Sequence, residues 1–337
     1  MRFLVIGAGA SIEEFNRIGG DPKECFPSIA NFSERLFQES AVVQFVTAKY
    51  LEANKIEFNK RILEAYNDPS NVKLQKGDRA NSPLNVYLNL EKSTPEQHNV
   101  ERLFEFAWNN FGKNNIGFWD ELINWSIYQS LSIIHSKYFF EQGVGYKRMP
   151  AGALICSKMT SQDRVLSLNY DTCFDLALQQ NFNSYCYAPN DIQDGIKIYK
   201  PHGSLSLFVN QKRGIFAFCA PDRVPGTISY PDPEGGEWHA SLGILPPRLN
   251  KNYSQNPIAK IILKGIGDME PEIVTFWGVG LTDSDLDLLA VYTNACNHAK
   301  KVELISPSGK ALNRSQKLLG LTIDHYSTIE EWLAKGA

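Results

Sequence analysis

The apolar positions of this chain change their period along its length, and each change marks an element. Phe3 to Ile6 is a short unbroken apolar run, read as a buried strand. It leads into Gly7-Ala8-Gly9-Ala10-Ser11, a tight turn that opens a helix. From about Asn31 to Asp68 the spacing is helical: Phe32, Leu36 and Phe37 share a face, and Phe45, Tyr50 and Leu51 continue it among charges. Residues 69–98 are polar and interrupted by Pro69, Pro83 and Pro95, which predicts a loop region. Helical spacing returns over Val100–Phe111 and Phe118–Phe140. The aromatic residues of the second stretch read as a buried helix face rather than a base-stacking surface.

From Arg164 the period shortens. Val165–Leu168 is a strand ending in Asn169-Tyr170-Asp171, and Asp175–Gln180 a helix. Ile196–Tyr199 is a strand ending in Pro201-His202-Gly203-Ser204. Leu205–Val209 and Gly214–Cys219 pair as a hairpin. Residues 220–257, rich in Pro and Gly, predict a long irregular loop that covers a site. Glu272–Trp277 is a strand running into Gly278-Val279-Gly280-Leu281. Ser284–His298 is a helix with Asp283 as its N-cap, Val302–Ile305 a strand, and Ser308–Leu319 a helix. Strands alternating with helices predict an α/β fold, a mainly parallel sheet with helices on both faces. A mostly helical insert, 31–160, interrupts that domain, which comprises 1–30 and 161–337.

Composition narrows the choice of chemistry. The chain has 337 residues, 43% of them apolar, enough for a substantial core. Its net charge of −3 gives no overall electrostatic footprint, so neither direct nucleic-acid binding nor an anionic membrane surface is expected. No run is apolar enough to span a bilayer, and the short N-terminal apolar run reads as a strand rather than a signal peptide, so a cytoplasmic protein is expected. The six cysteines (Cys25, Cys156, Cys173, Cys186, Cys219 and Cys296) include no C-x-x-C pair. Buried free thiols are expected, and no zinc or other metal site.

The candidate chemistry lies at the strand ends, where open parallel sheets bind ligands. A strand turning through glycines into a helix aims N–H groups and a helix dipole at one spot, which suits a phosphate. The dehydrogenase fingerprint wants a third glycine where Ile12 stands and an acidic strand end about 20 residues on, where the pattern is helical, so hydride transfer is disfavoured. Each polar strand end has a simpler reading as well. Asn169-Tyr170-Asp171 makes an Asx turn, a lone histidine is commonly a packed residue, and Asp283 and Asp285 cap a helix.

As an ordered set, GAGAS at 7–11, LNYD at 168–171, PHGS at 201–204, GVGLTDSDL at 278–286 and VELISPS at 302–308 resembles the sirtuins. The resemblance is strongest to the divergent bacterial sirtuin-like domains of antiphage defence, and it covers about half the chain, 1–12 and 164–333. It implies a Rossmann-like domain that takes NAD as a substrate and cleaves the nicotinamide–ribose bond. His202 would engage a ribose hydroxyl or the attacking water, Asn169 would position water, and Asp171 would support that pocket. Gly7, Ala8, Gly9 and Ser11 would hold the phosphates, Gly278, Gly280 and Asp283 the ribose side, and Ser306 would lie near adenine. The sequence also departs from the deacylase pattern. Ile12-Glu13-Glu14-Phe15-Asn16-Arg17 replaces Gly-Ile-Pro-Asp-Phe-Arg, the four zinc cysteines are missing, and Gly280 replaces a serine. NAD hydrolysis is therefore expected, with protein deacylation and non-catalytic NAD or ADP-ribose sensing as the alternatives. A homo-oligomer and a regulatory partner, such as a HerA-type ATPase or a short Argonaute, are also implied.

Overall fold

The computed structural model describes residues 1–336 apart from 22–23, 69, 71, 142–144, 192–193, 224–228, 250, 252, 254–255 and 283–284. The chain forms two compact units. One comprises Met1–Ser28, Ser132–Leu245 and Lys251–Ala337, the other Ile29–Leu131 and Pro246–Asn250. In chain order the elements begin with β1 (Arg2–Ile6), α1 (Ala8–Arg17), α2 (Phe32–Leu36), α3 (Ala41–Ala53), α4 (Arg61–Asn67), α5 (Lys76–Ala80) and α6 (Pro83–Ser93). There follow α7 (Val100–Ala107), α8 (Ile116–Ile123), α9 (Gln129–Phe139), β2 (Phe140–Glu141), β3 (Gly145–Tyr146), α10 (Pro150–Cys156), β4 (Arg164–Ser167) and α11 (Cys173–Asn181). Then come β5 (Tyr185–Tyr187), β6 (Ile196–Tyr199), β7 (Leu207–Asn210), β8 (Ile215–Phe218), β9 (Ser229–Pro231), β10 (Glu237–His239) and α12 (Pro257–Ile262). The chain ends with β11 (Ile273–Trp277), α13 (Leu286–His298), β12 (Lys301–Ile305), α14 (Gly309–Leu319), β13 (Asp324–Tyr326) and α15 (Ile329–Lys335).

The first unit is the expected α/β domain. Its seven-stranded sheet has the order β13-β12-β11-β1-β4-β6-β5, and every pair is parallel. Every residue of β1 is buried, as a central strand covered on both faces requires. Val5 lies opposite Phe276 on one side and Leu166 on the other. Phe3, Val5, Leu166, Phe276, Leu288 and Leu304 belong to one core cluster and are each 0–1% exposed. Burial of each such side chain contributes about 2 kcal/mol. The chain leaves β1 toward β4, while the strands after β11 build out the other way, so the topological switch falls between β1 and β11. Away from the β1–α1 turn, Arg2 pairs with Glu303 at 2.7 Å, and Glu303 also accepts from Thr275 Oγ1 and Trp332 Nε1. That buried knot ties β1, β11, β12 and α15 together.

Two stretches differ from the sequence expectation. Residues 69–98 contain α5 and α6 rather than a loop, because Pro83 sits in the first turn of α6, where its missing N–H costs nothing, and Ser82 caps that helix. Within 220–257, β9 and β10 join the expected β7–β8 hairpin in a four-stranded sheet. The stretch 132–160, assigned to the insert by sequence, belongs to the sheet unit, where α10 packs on α1 and α11. The second unit is helical, and α7 and α8 run on into π-helical turns at Trp108–Gly112 and Asn124–Tyr128. Among the described residues no helix is long and apolar enough to cross a membrane. All six cysteines are free.

Candidate active site at the strand ends

Four strand ends meet at the carboxyl edge of the sheet, two on either side of the β1–β4 boundary. Where β1 meets β11, the two turns touch through glycine. Gly7 N–H donates to Trp277 O at 3.0 Å and Gly9 N–H to Gly278 O at 2.9 Å. Gly278 has φ +62°, and a Cβ there would lie 2.1 Å from Ala10 N. A Cβ on Gly7 would lie 2.6 Å from Gly278 O. Gly7, Gly9 and Gly278 are therefore dictated by close backbone approach. The amides of Gly7 and Gly9, expected at the phosphates, are engaged by the β11 turn. Ala8 is half-buried, and Gly280 is exposed with open space beside it.

Where β1 meets β4, Asn169 is the connecting side chain. Its Nδ2 donates to Gly7 O at 2.9 Å and to Ser11 Oγ at 2.8 Å. The Asn169 and Ser11 side chains are buried. Leu168 N–H donates to Ile6 O, which fixes this end of β4 against β1. Two residues on, Asp171 Oδ1 accepts from Cys173 N–H at 3.0 Å and starts α11, the Asx-type role its spacing allowed.

His202 follows β6 and is buried. Its Nδ1 lies 2.9 Å from Leu168 O, and its Nε2 lies 2.5 Å from the Tyr253 hydroxyl. The first contact places His202 directly beside the Asn169 turn. A carbonyl only accepts, so Nδ1 carries the proton and Nε2 the lone pair. Burial, reinforced by the Lys251 charge, lowers the His202 pKa to about 4 against the opposing pull of Asp285, so the ring is neutral at physiological pH. Gly203 has φ +82°, and a Cβ there would lie 1.6 Å from Gly243 O, so this corner tolerates only glycine. Leu245 N–H donates to His202 O, and the Tyr170 hydroxyl donates to Leu245 O, which closes the corner.

Behind the site lies a charged support that sequence reasoning did not pick out. Lys200, fully buried, donates from Nζ to Asp171 O at 2.7 Å and to Asp175 Oδ2 at 3.0 Å. One ammonium thus ties the end of β6 to the Asn169–Asp171 turn. His135 lies 2.7 Å from Thr172 Oγ1, and burial together with the Lys200 charge lowers its pKa to about 4. On α1, burial raises the Glu14 pKa to about 7, although the carboxylate accepts from Gly152 and Ala151 N–H. A lysine inside a strand-to-turn run, between Tyr199 and Pro201, was the available signal for Lys200. Nothing local marks Tyr253, whose partner is 51 residues away.

Ser306, expected near adenine, follows β12 directly, and its contacts run to Tyr326, His325 and Ser308. Asp283 lies outside the described residues, and the N-cap position of α13 is held by Asp285. Among the described residues no cluster of His, Cys, Asp and Glu could hold a metal ion. Comparison of the chain with protein-family models and with curated proteins finds no match.

Proposed function

We propose that this chain is a sirtuin-like NAD hydrolase that cleaves the nicotinamide–ribose bond to nicotinamide and ADP-ribose. The observation that carries this reading is the junction of three strand ends. Asn169 is bonded to Gly7 and Ser11 of the first turn, while His202 is bonded to Leu168 beside it. The His202 imidazole, the Asn169 amide and the Ser11 hydroxyl thereby share one edge, next to the topological switch where nucleotides bind such sheets. Breaking the C–N bond sends its electron pair out with nicotinamide and leaves positive charge on the ribose. Water then adds to that carbon and gives up a proton. A neutral imidazole with a lone pair on Nε2 is suited to receive it. The Asn169 Oδ1 is an acceptor able to orient that water. Asp171 and Lys200 hold the turn that presents it.

On this reading the protein acts in antiphage defence by depleting NAD, as a homo-oligomer or beside a regulatory partner such as a HerA-type ATPase or short Argonaute. The test is turnover of NAD by His202→Ala and Asn169→Ala. Loss of a positioned base is expected to cost roughly 10²-fold or more. Near-wild-type turnover in either folded variant would overturn the assignment. Release of O-acetyl-ADP-ribose from an acetylated peptide would point instead to deacylation.

A further inference from the structure

We infer that Tyr253 occupies the one position on His202 from which a substrate hydroxyl or a water could be deprotonated, so that this tyrosine must leave before the site works. The inference rests on His202 being the base, and it adds a regulation of that site. It follows from counting the valences of the imidazole. Nδ1 carries the proton and is committed to Leu168 O, so a neutral ring has a single lone pair, on Nε2. The Tyr253 hydroxyl donates to that lone pair at 2.5 Å. The phenol ring also lies nearly parallel to the imidazole, at 15° and 5.7 Å between centroids. Tyr253 is 1% exposed, so its hydroxyl does not face solvent as a proton outlet of its own.

The start of α13 helps to hold the tyrosine there. Its N–H donates to Asp287 Oδ2 at 3.1 Å, and Lys251 pairs with Asp285 Oδ2 at 3.1 Å. Both carboxylates stand at the start of α13, just beyond the turn that follows β11. A second acceptor, Asp285 Oδ1, lies 3.5 Å from the Tyr253 hydroxyl. The hydroxyl can therefore release His202 without losing every partner. Any change that shifts the start of α13 acts on the His202 lone pair through these contacts.

The test reads His202 directly. The full chain is treated with diethylpyrocarbonate, which acylates the free nitrogen of neutral imidazoles, and each histidine is followed by peptide mass mapping. In the wild type, His202 is expected to react far more slowly than the part-exposed His239. Tyr253→Phe removes only the hydroxyl and is expected to raise the His202 rate roughly tenfold, the worth of one hydrogen bond. His135, buried and bonded to Thr172, is expected to stay slow in both and reports an intact fold. If His135 also opens in Tyr253→Phe, the comparison passes to Lys251→Met, which removes the ion pair to Asp285 and leaves the Tyr253 side chain unaltered, with the same rise expected. Equal His202 rates in the wild type and the folded variant would overturn the inference. Titration with ADP-ribose keeps the two readings apart. Tighter binding to the variant supports the inference. A faster His202 with no ADP-ribose bound by either protein would retain Tyr253 as the occluding group and sink the NAD reading.

Discussion

Where β1 meets β11, glycines let two turns touch backbone to backbone; where β4 meets β6, buried polar side chains tie two turns together. Gly7, Gly9 and Gly278 leave no room for a Cβ between them. Asn169, Asp175, Lys200 and His202 are all buried, and each makes hydrogen bonds or an ion pair. The first arrangement depends on shape and is insensitive to pH. The second depends on charge and proton position, and it is the half that can do acid–base work. A single edge of one sheet thus separates close packing, which fixes the geometry of the turns, from buried ionisation, which gives the turns their chemistry.

The comparison can be broken at either end. The largest effect is expected from Gly278→Ala, which combines a left-handed φ with a contact of 2.1 Å to Ala10 N. Overpacking and backbone strain together should cost about 5 kcal/mol, read by chemical denaturation or by loss of folded protein. A variant as stable as the wild type would show that the two turns do not depend on glycine. Lys200→Met comes next. It strands the Asp175 carboxylate and should cost about 3 to 4 kcal/mol, while adding Asp175→Leu should return much of the loss. If the double variant is no more stable than the single, the pair is not what holds this half.

The pH dependence sharpens the contrast further. His135 and His202 fall from an ordinary 6.5 to about 4 on folding. The unfolded chain therefore binds more protons, and the stability their neutral forms give is present above pH 6.5 and lost as pH falls toward 4. Between pH 7 and pH 5 each should withdraw up to about 2 kcal/mol. Glu14 runs the other way. Its value rises from 4.5 to about 7, so its contribution is present below 4.5 and lost as pH climbs through 7. Glu14→Gln should therefore steepen the loss of stability between pH 7 and pH 5, and an unchanged slope in urea melts would refute the assignment. The smallest effect is expected from Asn169→Ala, which removes the donor to Gly7 O and Ser11 Oγ and should cost about 1 kcal/mol while the protein remains folded.

The sheet was legible because its strands are short apolar runs closed by turn residues, as at Phe3–Ile6 and Ile196–Tyr199. β5, β9 and β10 were not, since each has only three residues, too few to establish a period. α6 was hidden by reading Pro83 as a breaker when it begins the helix. At the site, the turns bearing Asn169 and His202 were visible because glycines and Asx residues sit at strand ends. The support was not. Lys200 acts on residues 25 and 29 positions away, Tyr253 on one 51 away, and Glu14 on amides 137 and 138 away. Such partners are chosen by the topology of the sheet, and no local pattern carries them.

The most direct test of NAD chemistry at this edge is to incubate the purified wild type and Tyr253→Phe with NAD and quantify nicotinamide and ADP-ribose, with His202→Ala as the control. Equimolar release of both products, faster in Tyr253→Phe and absent in His202→Ala, is the expected result. Failure of either protein to bind NAD or release nicotinamide, with the fold intact and His202 shown to be reactive in Tyr253→Phe, would contradict it.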